Sequence, residues 1–150
     1  MRIAIACDPA GEVLKGPIEA LLKKRGIAFE DLGIREGDPP DYPVFGVRAA
    51  NAVVSGACDR GIILCGTGVG ISIAANKVKG IRCCCCSDYF SAVLSRRHND
   101  SNMLALGGRV VAPENACMIV EGWLDTAFEG DRHQHRIEMF KLIEEGKPVE

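Results

Sequence analysis

"LCGTGVG", residues 64–70, ends the apolar run "GIIL" and leads into "ISIAANK", so it stands where a strand turns into a helix. Glycine-rich turns at that place usually cradle phosphate at a helix N-terminus. Here a cysteine occupies the first position of the turn. The dinucleotide fingerprint G-x-G-x-x-G is not met: after Gly66 and Gly68, Ile71 stands where the third glycine belongs. The turn also follows the third strand-like run, not the first. A Walker loop would need G-x-x-x-x-G-K-[ST], which is absent, so both nucleotide readings are set aside. What remains is a turn whose bare amides can approach a ligand and stabilise a developing oxyanion. Cys65 stands at the start of the following helix, where the positive end of the dipole favours a thiolate. From the residues alone Cys65 is either a buried strand-end thiol or a proton-abstracting base.

Outward from this turn, strand-like and helix-like segments alternate. Strand runs are expected at 2–7, 27–33, 60–65, 81–86 and 102–108, helices at 12–26, 44–56, 70–80, 87–99 and 113–128, and a polar terminal helix at about 130–147. "REGDPPDYP" (35–43) reads as loop. Strands each followed by a helix imply an α/β single domain over residues 1–150, with a doubly wound five-stranded parallel sheet in a three-layer Rossmann-like sandwich. Ligands in such folds lie beyond the carboxyl ends of the strands. The positions to inspect are therefore Cys7 to Pro9, Gly33, Cys65 to Gly68, Ser87 and Asp88, and Gly107 to Arg109.

Composition narrows the function classes. A net charge of −2 gives no bulk attraction to nucleic acid or to anionic membrane, so an anionic substrate would need a local arginine cluster. No apolar run approaches the roughly 20 residues that span a bilayer. "MRIAIACDPAG" is interrupted too early by Asp8 and Pro9 for a signal peptide, and eight cysteines then suit a reducing cytoplasm. Cys83 to Cys86 contain one C-x-x-C pair with no second pair and no histidine at finger spacing. They read as a buried strand packed by small hydrophobes, not as a metal or redox centre.

Three histidines occur: His98, His133 and His135. His98 falls where a helix gives way to the fifth strand, a usual place for a surface or capping group. Arg132 and Arg136 are four apart on one helix face, and can either fork a phosphate or simply face solvent. Arg109, at a strand end, is less easily assigned to solvent.

Together, "DYP", "DRGIILCGTGVGISIAANKVKGIR", "RRHNDSNMLALGGRVV" and "FEGDRHQHR" resemble the type B ribose-5-phosphate isomerases, a family that includes subunits of galactose-6-phosphate isomerase. The likeness runs over residues 1 to 140. It implies an aldose–ketose isomerase of carbohydrate metabolism, acting on ribose 5-phosphate and ribulose 5-phosphate through an enediolate. It further implies a homodimer or dimer of dimers with shared active sites, no metal and no organic cofactor. Cys65 matches the family's base and His98 the acid that opens the sugar ring. Thr67 and the amides of Gly66, Gly68, Val69 and Gly70 match the enediolate cradle. Asp8 and Asn99 match groups holding sugar hydroxyls, and Arg109, Arg132 and Arg136 match the phosphate clamp. One position departs: the family commonly has histidine after the first aspartate, and this chain has Pro9, which offers no donor. That leaves the reaction type intact and opens the choice of sugar: allose 6-phosphate, galactose 6-phosphate or a tetrose phosphate. A non-catalytic sugar-phosphate-binding module is the alternative of another class. A receiver-like signalling domain shares the outline, but Asp8 has no adjacent acidic partner and the strand-end lysine is missing.

Overall fold

Period-two alternation inside strands that are apolar on both faces dictates a sheet buried on both sides. The computed structural model describes residues 1–150 and has that architecture. Five parallel strands, β1 (Arg2–Cys7), β2 (Ala28–Asp31), β3 (Arg60–Cys65), β4 (Cys83–Cys85) and β5 (Met103–Gly107), lie in the order β2-β1-β3-β5-β4. The helices are α1 (Glu12–Lys24), α2 (Tyr42–Val54), α3 (Val69–Ala75), α4 (Tyr89–Asn99), α5 (Pro113–Asp125) and α6 (Arg132–Glu144).

Each central strand feeds two cores. Ile3, Ile5, Ile62, Leu64, Leu104 and Leu106 pack with Leu14 and Ile18 of α1 and with Ile119 and Trp123 of α5. The intervening Ala4, Ala6, Ile63, Cys65 and Ala105 face Phe45 and Ala49 of α2 and Ile71 of α3. The alanines of β1 let α2 approach the sheet closely, whereas the isoleucines fill the wider α1–α5 side. Trp123, fully buried, donates from Nε1 to Ser101 Oγ at 2.8 Å, so its one polar atom is satisfied.

Several expected boundaries shift for local reasons. α2 begins at Tyr42, inside the expected loop, because Pro43 needs no amide partner in a first helical turn. α3 ends at Ala75, well short of residue 80. The Asn76 side chain instead donates from Nδ2 to the Cys83 carbonyl and accepts the Cys83 amide at Oδ1, both at 2.8 Å. Gly130 has φ of 71°, which delays α6 to Arg132.

The cysteine run is also corrected. Cys83 and Cys86 are buried and Cys84 is half-buried, but Cys85 is exposed. It is the last residue of an edge strand, with its Sγ 3.7 Å from the Thr67 carbonyl. Burial and the neighbouring cysteines push the Cys86 thiol up to about 12. Burial raises the Cys83, Cys84 and Cys85 thiols as well, so slow alkylation is expected along the whole run, with the exposed Cys85 the most accessible of the four.

Candidate active site

The strand order reverses on either side of the β1–β3 pair, and there the carboxyl ends of three strands converge. The Asp8 amide donates to the Leu64 carbonyl at 3.1 Å, which ties the first loop to the third strand. Gly108 donates to the Cys65 carbonyl at 2.8 Å, and Arg109 to the Gly66 carbonyl at 3.0 Å, which ties the fifth. Glycine is required at these seams. A Cβ on Gly11 would meet the Leu64 backbone at 2.5 Å, and one on Gly107 the Thr67 backbone at 2.6 Å.

Cys65 is 4% exposed, with its sulfur turned back under the loop that follows it. The Gly68 amide donates to its Sγ at 3.1 Å and so fixes the thiol's position. Gly68 itself has φ of 80°, a conformation open to glycine and costly for other residues. Thr67 is exposed above the sulfur, and its Oγ1 accepts the Val69 amide at 3.3 Å. Asp8 is buried, with Oδ1 accepting the Gly11 amide at 2.9 Å, while Pro9 is exposed beside it. The Arg109 guanidinium lies 3.5 Å from where a Cβ on Gly66 would stand. Asp8, Pro9, Cys65 to Gly70 and Arg109 thus form one surface. Tyr42, to which the sequence assigned no role, closes its flank: a Cβ on Gly70 would meet the phenol ring at 2.7 Å. Arg48, also unassigned, stabilises the approach by binding Asp38 through both terminal nitrogens and the Gly33 carbonyl through Nη1.

The remaining site residues lie elsewhere. α4 runs antiparallel to the strands, so His98 and Asn99 at its last turn reach the amino ends of the sheet. The Asn99 carbonyl accepts from Arg82 Nε at 3.0 Å, and Arg82 immediately precedes β4. From Met103, which pairs with the first residue of β4, four residue steps of β5 lead to Gly107, which pairs with Cys65, a rise of about 13 Å. Inspecting only carboxyl strand ends would therefore miss His98 and Asn99.

At this second end α6 joins α4. His98 and His133 stack with centroids 4.3 Å apart and planes 10° from parallel. Glu129 Oε2 lies 3.7 Å from the Nε2 atom of each. Arg97 Nε donates to Glu129 Oε1 at 2.6 Å and holds that carboxylate well below its usual range. Arg132 and Arg136 are exposed on the first turns of α6, flanking the buried His133. Burial, then His98 and those two arginines, push His133 below the ordinary imidazole range. Glu129 and His133 lay inside the quoted "FEGDRHQHR", but nothing in the spacing tells which member of that polar run turns inward.

The chain matches the Ribose/Galactose Isomerase family model over residues 3–140. It is 51% identical to ribose-5-phosphate isomerase B of Escherichia coli, covering 96% of this chain and 97% of that protein. It is 41% identical to D-erythrulose-4-phosphate isomerase of Pectobacterium atrosepticum, over 96% and 95% of the two chains. The solved ribose-5-phosphate isomerase B of Clostridium thermocellum superposes with a TM-score of 0.94 at 50% identity, covering 97% of this chain and 99% of that one. The chain belongs to the ribose/galactose isomerase family, and it is an isomerase with that family's Rossmann-like fold.

Proposed function

We propose that the protein interconverts ribose 5-phosphate and ribulose 5-phosphate, in a site completed by pairing two copies of the chain. The observation that carries this reading is the Cys65 thiol, held by the Gly68 amide under a loop of bare glycines, with the Arg109 guanidinium beside Gly66. Cys65 takes the proton from C2 of the open aldose and returns it at C1. The amides from Gly66 to Gly70 and Thr67 hold the enediolate oxygens between the two transfers. His98 opens the furanose, Asp8 and Asn99 bind hydroxyls, and the three arginines bind phosphate.

The separation of these groups supports pairing. Cys65 and His98 stand at opposite ends of one sheet, too far apart to serve one pentose. A second copy related by a two-fold axis would bring the His98 end of one protomer to the Cys65 end of the other, twice over. Apolar side chains surround the Cys65 end as such an interface requires: Val69, Ile73, Val110, Met118 and Phe90 are exposed, Phe90 by 70%.

The phosphate assignment is tested by Arg132→Ala and Arg136→Ala. Each removes a charge-assisted contact of about 1.5–3 kcal/mol, so KM for ribose 5-phosphate should rise about 10- to 100-fold. Unchanged KM in both variants would make the pair a solvated helix face.

A second substrate reading rests on Pro9, which is exposed at the rim and supplies no donor to a phosphate. A relative whose name specifies a tetrose phosphate supports the same alternative. Assaying interconversion of pentose, tetrose and hexose phosphates separates the two by kcat/KM. Failure to turn over any of them would leave a binding module.

A further inference from the structure

We propose that Glu129 and His133 are positioning residues for His98: the stacked His133 ring sets the plane of the His98 imidazole, and the Glu129 carboxylate accepts its ring N–H when His98 acts on a sugar. The inference rests on the reading that His98 opens the furanose.

His98 is half-exposed on the last turn of α4, and a side chain so placed would ordinarily sample several rotamers. Here one face is covered by His133 and one edge meets Glu129. Each of these neighbours is itself anchored. The Glu129 amide donates to the Arg97 carbonyl at 3.0 Å, and its Oε1 accepts from Arg97 Nε. His133 is 5% exposed, and its Nε2 is a buried nitrogen with no hydrogen-bond partner. Such an orphan is costly in a core and marks a group kept for something other than packing. At 3.7 Å the carboxylate oxygen bonds to neither imidazole, yet it faces both, so a small χ rotation completes one bond or the other. Catalytic hydrogen bonds often close only when substrate is bound.

The charges around the cluster suit a proton donor at His98. The facing groups are the Glu129 carboxylate, the His133 ring, and the guanidiniums of Arg97, Arg132 and Arg136. Burial, then His98 and the arginines, lower the His133 pKa, which opposes two imidazoliums face to face. Glu129 stays ionised through Arg97 and can balance a cation on His98. Opening a hemiacetal needs just this: the ring oxygen gains a proton from His98 as its bond to C1 breaks, and the C1 hydroxyl loses one to solvent water, which leaves the aldehyde. The ligand atoms of His98, Glu129 and His133 lie within 4.8 Å of one another, which raises the alternative of a metal ion. Three neighbouring guanidiniums disfavour a further cation, and parallel rings aim their in-plane lone pairs along parallel planes instead of at one point.

The test exploits a substrate that needs no ring opening. In ribulose 5-phosphate the C5 oxygen carries the phosphate, so no furanose can close. Uptake of solvent deuterium at C1 of that ketose, followed by NMR, reads proton abstraction alone. Glu129→Gln should lower kcat on ribose 5-phosphate about 10- to 100-fold, with KM and the deuterium uptake within about twofold of wild type. Glu129→Asp should recover part of the loss. His133→Ala should behave like Glu129→Gln, and His133→Phe, which keeps a stacked ring, should regain most of the turnover. His98→Ala serves as the reference and should show the same selective loss. If it does not, the ring-opening role of His98 is wrong. If His98→Ala is selective while Glu129→Gln and His133→Ala leave kcat unchanged, or depress both reactions equally, the positioning role is overturned. Loss of activity on chelation, restored by added zinc, would overturn it in favour of a metal site.

Discussion

Cys65→Ala is expected to lower kcat on ribose 5-phosphate by about 10²- to 10⁴-fold, the usual contribution of a positioned general base. The replacement removes one buried sulfur and leaves the loop geometry to the glycines. The Gly108-to-Cys65 and Arg109-to-Gly66 backbone bonds do not involve that side chain and should persist. KM should therefore change little, because the replacement leaves Arg109, Arg132 and Arg136 in place. Deuterium uptake into ribulose 5-phosphate should fall with kcat, in contrast to the selective losses expected at Glu129. Near-normal turnover by the folded variant would remove the thiol from the mechanism.

Gly107→Ala should damage the same step without touching a reacting group. Gly107 ends β5, where its Cβ would stand 2.6–2.7 Å from the backbone of Thr67. The strand is held on both sides, by β3 and β4, so the loop must yield instead. Moving Thr67 also moves the Gly68 amide that fixes the sulfur. A displacement of about 1 Å in a catalytic group costs on the order of 10²-fold in rate. Overpacking adds roughly 1–3 kcal/mol of destabilisation, read as a lower Tm. Wild-type kcat in this variant would mean that the loop's position is not held by its contact with β5.

How much of this was legible beforehand follows from which signals are local. β1 and β3 match their expected ends to the residue, because apolar runs stop abruptly at Asp8 and at the glycine turn. The Cys65 loop was legible for the same reason, since strand, turn and helix are contiguous. Element ends decided by distant partners were not. Asn76 leaves α3 for the Cys83 backbone, a bond no helical periodicity signals. The exposure of Cys85 depends on β4 lying at the sheet edge, which strand order fixes and sequence spacing does not. The group around His98 was the least legible. It assembles from the end of α4 and the start of α6, and its position at the amino edge of the sheet follows from helix direction.

That position makes subunit mixing the most direct test of the whole account. Cys65→Ala and His98→Ala should each be almost inactive alone. After the two are dissociated and allowed to reassociate in equal amounts, half the dimers should be mixed, with one of their two sites intact. Activity should then rise to about a quarter of wild type. Mixed dimers that form, as shown by differently tagged copies eluting together, yet stay no more active than their parents would contradict a site built from Cys65 of one protomer and His98 of the other.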